Sequence, residues 1–301
     1  KGSLIWLLDK TSTAMGGRML KRWVEQPLLN VDAIEYRLDI IQTFVDDIIL
    51  MDEIGKHLSS IYDLERIMGK IAYGSCNARD LISLKNSIEI LPAIKDILKS
   101  TSNNSLTQIG ENIDPLEDLY ELIDNSIVED PPVTIKEGGI IKPTYNKSIE
   151  ELRNISTGGK KWLANLEDAE KQKTGIKSLK IGYNKVFGYY IDVTKSYLDL
   201  VPDDYIRKQT LANSERYITP ELKEMESKIL GAEEKLIELE YEAFNEIREK
   251  VKSETERVQH VSKIIAKLDA LNSLSKVAYN NNYVRPKLNN NGVIEIKNGR
   301  H

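Results

Sequence analysis

The chain of 301 residues sets 42 lysines and arginines against 47 aspartates and glutamates, and a net charge of −5 argues against a uniformly basic nucleic-acid binder. Its single cysteine, Cys76, excludes an internal disulfide, and with His57, His260 and His301 scattered no zinc-ligand spacing exists. No apolar stretch reaches the roughly eighteen residues of a membrane-crossing helix and no charged-then-apolar leader opens the chain, so the expectation is a soluble, cytoplasmic, mainly helical protein.

The chain opens at Lys1 in mid-pattern and reads as a fragment. Residues 4–125 read as a bundle of shorter helices. Thr11, Ser12 and Thr13 offer hydroxyl caps before a helix over 14–24, and apolar residues at helical spacing predict helices over 31–45, 61–71 and 78–91. Pro27, Pro92 and Pro115 punctuate these pieces, and the polar, Asn-rich stretch 101–105 reads as a loop. Residues 131–142, with Val133 and Ile135 before Gly138-Gly139 and Ile140-Ile141, read as a short hairpin. A long helix follows, carrying Ile149, Leu152, Ile155, Leu163, Leu166 and Ala169 and weakened locally at Gly158-Gly159.

At 175–218 the period changes to two. Leu179, Ile181 and Tyr183, then Tyr189, Ile191 and Val193, alternate along two strands with a turn at Asn184-Lys185. Tyr183, Tyr189 and Tyr190 are expected in the small core of this patch. It holds seven cations against five anions, the basic part of an acidic chain. From Thr219, a candidate N-cap followed by Pro220 and Glu221, an apolar stripe runs through Leu222, Ile229, Leu236, Ile247 and Val258 to Leu271. Some sixty residues of helix would make a rod of roughly 90 Å. The stripe slips between Val251 and Val258, where the rod is expected to bend or change partner.

Several segments together resemble the MutS family of DNA mismatch repair ATPases, specifically its core (lever) and clamp domains. They are Leu8-Asp9-Lys10-Thr11-Ser12-Thr13-Ala14-Met15-Gly16-Gly17-Arg18, Trp23-Val24-Glu25-Gln26-Pro27-Leu28, Asp63-Leu64-Glu65-Arg66, and Pro131-Pro132 with Glu137-Gly138-Gly139. Gly188-Tyr189-Tyr190-Ile191, the run from Arg207 to Leu222, Tyr283-Val284-Arg285-Pro286 and Gly299-Arg300-His301 complete the series in the family's order. The resemblance implies a mainly α fold: a helical bundle core with two long lever helices carrying a small β-rich clamp. The expected divisions are 1–130 helical core, 131–174 hairpin and first lever helix, 175–218 clamp, 219–280 second lever helix, and 281–301 the start of a truncated ATPase domain. The family's mismatch-reading domain with its Phe-x-Glu wedge, and the connector after it, have no counterpart here. Neither does Gly-x-x-x-x-Gly-Lys-[Ser/Thr], so no phosphate cradle is present. A subfamily lacking the clamp is disfavoured by the β-rich patch.

Met15-Gly16-Gly17-Arg18 lacks a preceding strand and a following Lys-Ser/Thr, so helix packing is its reading. Asp63, Glu65 and Arg66 read as surface or interhelical ion pairing, and Trp23 and Trp162 as packing residues. Backbone binding needs cations and small donors projecting from loops. By resemblance, Asn184, Lys185, Lys208, Gln209 and Asn213, with Arg207 and Lys177, are DNA-binding candidates, although Arg207 and Arg216 can pair instead with Asp203, Asp204 or Glu215. No His, Cys or carboxylate constellation stands at catalytic spacing, so the fragment is expected to be no enzyme and to bind no cofactor. In the full-length protein the resemblance implies ATP and Mg, double-stranded DNA, a second MutS subunit and MutL as ligands and partners. The alternative is a structural coiled-coil arm with a protein-binding tip.

Overall fold

A computed structural model describes residues 2–297 and 299 of the chain. Arg300 and His301, part of the expected ATPase threshold, lie outside the described residues. Short polar side chains start the helices. Thr13, Asn30, Asp47, Asp63, Asn77 and Asn103 each accept the backbone N–H three residues on, satisfying a donor that a helix start leaves free. The chain folds into two compact units, Lys1–Asp124 with Glu246–His301, and Asn125–Asn245.

The first unit contains α1 (Leu4–Leu8), α2 (Ala14–Glu25), α3 (Val31–Asp46), α4 (Ile48–Ser59), α5 (Leu64–Tyr73), α6 (Ala78–Ile88), α7 (Leu91–Lys99), α8 (Asn104–Glu111) and most of α9 (Glu117–Ser126). It also contains α12 (Thr255–Asn280), which packs against the first five. From Val258 to Val277 α12 buries residues on every side, as a helix enclosed by others must. Among them is Asp269. Its carboxylate accepts the backbone N–H groups of Ser12 and Thr13 and the Thr13 hydroxyl, at 2.7 to 3.1 Å. Gly16 lies so close that a Cβ there would stand 2.1 Å from Asp269 Oδ2. The Met15-Gly16-Gly17 motif is therefore a packing device. The expected ion pairing is present as Arg18, which donates to both Asp63 and Glu65. Expectations fail in part: the helix expected over 61–71 begins at Leu64, where Asp63 caps it, the one expected over 78–91 ends at Ile88 before α7, and the loop 101–105 gives way at Asn104, because Asn103 caps α8 there.

In the second unit the hairpin expected over 131–142 is absent. An isolated bridge, Ile127 to Ile141, and a 3-10 turn over Ile135–Glu137 stand in its place. The Ile140 N–H that a hairpin would pair goes instead to the buried Glu240 carboxylate, which also meets the Arg153 guanidinium. α10 (Lys147–Thr174) and α11 (Pro220–Ser253) then run antiparallel: Arg153 meets Glu240, Ser156 and Lys160 meet Glu233, and Gly159 meets Ile229. Gly159 is the contact point of the pair, where a Cβ would lie 2.3 Å from Ile229 Cγ1, whereas Gly158 faces open space.

Between these helices lies a four-stranded antiparallel sheet of β1 (Lys180–Asn184), β2 (Gly188–Thr194), β3 (Ile206–Thr210) and β4 (Ser214–Ile218), in the order β1-β2-β4-β3. Leu179, Ile191, Val193 and Tyr217 pack on Leu163, Leu166, Leu222 and Ile229. Thr219 caps α11 through the Leu222 N–H, as expected. The run expected to continue to Asn280 ends at Ser253. Glu254 has φ −95° and ψ 16°, and α12 starts after it, so two helices replace the single rod at the place where the stripe slips.

Two outcomes follow. Gly159→Ala should cost about 1–3 kcal/mol through overpacking, whereas Gly158→Ala should stabilise by up to about 1 kcal/mol, both read from urea midpoints. Arg257 pairs with Asp114 and Asp118, and its hydrogen bonds hold both carboxyls below the usual range. Depressed carboxylates stabilise the fold above their unfolded pKa, near 4, and that contribution is lost as pH falls through the folded values. Arg257→Ala should therefore cost up to about 1 kcal/mol at pH 7, a small figure because the pairs are solvent-screened, and the two proteins should converge in strong acid.

Candidate nucleic-acid interface

Strand alternation sorts the side chains of the sheet onto two faces. Ile181, Tyr189, Ile191, Val193 and Tyr217 turn toward α10 and α11. On the other face, the register sets Lys180 opposite Asp192, Asp192 opposite Arg216 and Arg216 opposite Gln209, a polar row that crosses all four strands. Arg216 lies 4.1 Å over the Tyr190 ring, 3.5 Å from Asp192 and 2.9 Å from Gln209. Tyr190 in turn lies against Gly182, where a Cβ would meet its ring at 2.7 Å.

The same register separates the candidate residues. Asn184 pairs with Gly188 at one end of β2, and Thr194 pairs with Ser214 at the other, six residues or roughly 20 Å away. Lys185 sits exposed in the turn beside Asn184. Lys177 and Asn213 belong to the opposite end: Ser178 Oγ is 2.9 Å from Thr194 Oγ1, and the Asn213 carbonyl accepts the Lys195 N–H. Lys208 is exposed at a register shift in β3, between these ends.

Three candidates are committed elsewhere. Arg207 pairs with Glu215 at 3.5 Å on the helix-facing side, as one of its expected alternatives had it. Arg216 pairs with Asp192, not with the acids expected. Gln209 accepts from Arg216, and the Asn184 carboxamide oxygen accepts the Val186 and Phe187 N–H groups of its own turn. The turn is thus Lys185-Val186-Phe187, one residue longer than Asn184-Lys185 suggested, because Asn184 still belongs to β1. Of the three tyrosines expected inside, Tyr189 packs on the core, Tyr190 lies on the outer face and Tyr183 is about half exposed. Tyr205 and Tyr217 complete that core in their place. Burial, then the bond donated to Glu215, push the Tyr217 phenol up to about 12.

With both arginines paired, the cations of the sheet region without a carboxylate within ion-pair distance among the described residues are Lys177, Lys180, Lys185, Lys195 and Lys208. Lys195, like Lys180, is one of the seven cations of the patch but is not among the candidates that the sequence reading names. Its neighbours Thr194 and Ser196 join hydroxyls 3.3 Å apart, and the signal was a cation flanked by hydroxyls just after a strand. Among the described residues no cluster of three or more His, Cys, Asp or Glu could hold a metal ion, and no helix is long and apolar enough to cross a membrane.

The family model of MutS domain III matches residues 1–275. The chain belongs to the MutS family. The DNA mismatch repair protein MutS of Caldanaerobacter subterraneus subsp. tengcongensis is 56% identical over 301 residues, covering all of this chain and 35% of that protein. Its namesakes in Alkaliphilus oremlandii and Lachnoclostridium phytofermentans are each 54% identical, again over the whole chain and over 34% and 32% of their own lengths. The chain thus spans about a third of the length of the curated relatives it matches.

The double acceptance by Asn184 makes it first a turn residue. Asn184→Ala should lower stability by about 1 kcal/mol in thermal unfolding, the ordinary worth of a local hydrogen bond. A change in duplex binding at unchanged stability would reverse that assignment.

Proposed function

We propose that this chain is the core and clamp portion of a MutS-type mismatch repair protein, and that its sheet grips the backbone of duplex DNA without sequence specificity. The observation that carries this reading is the set of five lysines on the sheet region that have no carboxylate within ion-pair distance among the described residues, in a chain whose net charge is −5. Lysine neutralises phosphate and releases counterions, whereas serine, threonine and asparagine donate to phosphate oxygens. The hydroxyls of Ser178, Thr194 and Ser196 beside Lys177 and Lys195 suit that contact. In this reading α10 and α11 are levers and residues 175–218 the clamp, coupling the grip to an ATPase domain outside this chain. The fragment itself is no enzyme. ATP with Mg, a second subunit, MutL and a cytoplasmic location belong to the proposal for the whole protein.

A second reading, a structural arm with a protein-binding tip, is favoured by the exposed Val186 and Phe187 of the β1–β2 turn. Fluorescence anisotropy with labelled homoduplex and mismatched duplex across a salt series separates the two. The clamp reading expects equal, salt-sensitive binding near 10⁻⁴ to 10⁻⁶ M, roughly the nonspecific range. Lys177→Glu with Lys195→Glu, or Lys185→Glu with Lys208→Glu, should weaken it and flatten the salt slope by about two. Folded protein that binds neither duplex at low salt would leave the arm as the better reading.

A further inference from the structure

A second cationic surface lies in the first unit, in a groove of about 820 Å³ between α2, α3 and α12. Met19, Trp23, Leu28 and Ala33 line its apolar part, and Arg22, Arg37, Lys263 and Lys267 its rim. Among the described residues none of these four cations has a carboxylate within ion-pair distance. Arg37 instead lies 3.5 Å over the Trp23 ring and Lys267 4.3 Å over the Tyr36 ring, also donating to the Tyr36 hydroxyl. Of the two acids on the lining, Glu65 is held by Arg18, and Asp32 stands in the first turn of α3. Beside the groove Leu29 is 93% exposed.

Four cations without a carboxylate partner among the described residues, two of them over aromatic rings, leave positive charge uncompensated, since a cation–π contact replaces only part of what a carboxylate supplies. We infer that this groove docks an acidic peptide segment of a partner protein, one that carries an apolar side chain for the Trp23 floor. Charge complementarity selects the acid, and the concave apolar lining selects the peptide. A duplex, about 20 Å across, meets phosphate-binding side chains on projecting surfaces, whereas here Arg37 and Lys267 are folded down onto rings. Arg37 and Trp23 form the preformed anchor, residue types enriched where binding energy concentrates.

Trp23 can report on its own occupancy. In the chain carrying Trp6→Phe and Trp162→Phe, the probe is a twelve-residue peptide of Glu and Leu at helical spacing, compared with an all-Glu peptide and an unlabelled DNA duplex. The expected result is a saturable Trp23 emission shift with the Glu/Leu peptide, at least about tenfold weaker with the all-Glu peptide and with Lys263→Glu plus Lys267→Glu. Lys263 is exposed and Lys267 half-buried, and matching circular dichroism would confirm that the variant folds. The proposal is overturned if the folded protein gives no shift with the Glu/Leu peptide, or if the charge reversals leave its affinity unchanged. It is overturned equally if the duplex gives the stronger response at these residues, which would make the groove a nucleic-acid site. Because the groove and the sheet lie in different units, loss of one binding activity leaves the other to be read separately.

Discussion

The structure of the first unit depends on one buried carboxylate. Asp269 lies at full burial on α12 and accepts the Ser12 and Thr13 N–H groups, which lead into α2 and have no helical partner of their own. Unpaired buried donors cost about 1–3 kcal/mol each, so the carboxylate decides where the irregular N-terminal stretch can stop. Ser273, one turn further along α12, repeats the arrangement by accepting the Lys10 N–H and donating to the Leu8 carbonyl. Burial raises the pKa of Asp269, against the lowering effect of its donors. A raised carboxylate pKa means that its stabilising contribution is fullest below the unfolded value and declines as pH rises through the folded one.

The second unit uses the same device. Glu240, fully buried on α11, receives the Ile140 N–H and the Arg153 guanidinium and so sets the start of α10 against the middle of α11. Carboxylates also manage the margins of the sheet. Glu167 accepts the Ile181 N–H on edge strand β1, and Glu226 accepts the Tyr189 N–H beyond the end of β4. The opposite edge, β3, carries a register shift and the exposed Arg207 and Lys208. Exposed strand edges invite pairing with other chains, and irregularity and charge are common means of blunting them. These acids lie on the helix side, whereas Lys177, Lys185, Lys195 and Lys208 have no carboxylate within ion-pair distance among the described residues.

Much of the architecture was legible in the chain itself. The period of two at Leu179–Tyr183 and Tyr189–Val193, the stripe from Leu222 and the Thr219 cap each depend on neighbours within a few residues, so local periodicity determined strand, helix and boundary. The slip between Val251 and Val258 likewise marked the place where α11 ends. Tertiary structure decided what depends on distant residues. No local pattern reveals that Ile140 donates to Glu240 a hundred residues away, which removes the hairpin expected near it. Nor does the sequence around Gly159 disclose Ile229 as its neighbour. The candidate interface divides in the same way. Composition found the basic patch, but strand register alone placed Asn184 and Lys185 at one end of β2 and Asn213 with Lys195 at the other, because a register is a relation between strands that neither strand carries by itself.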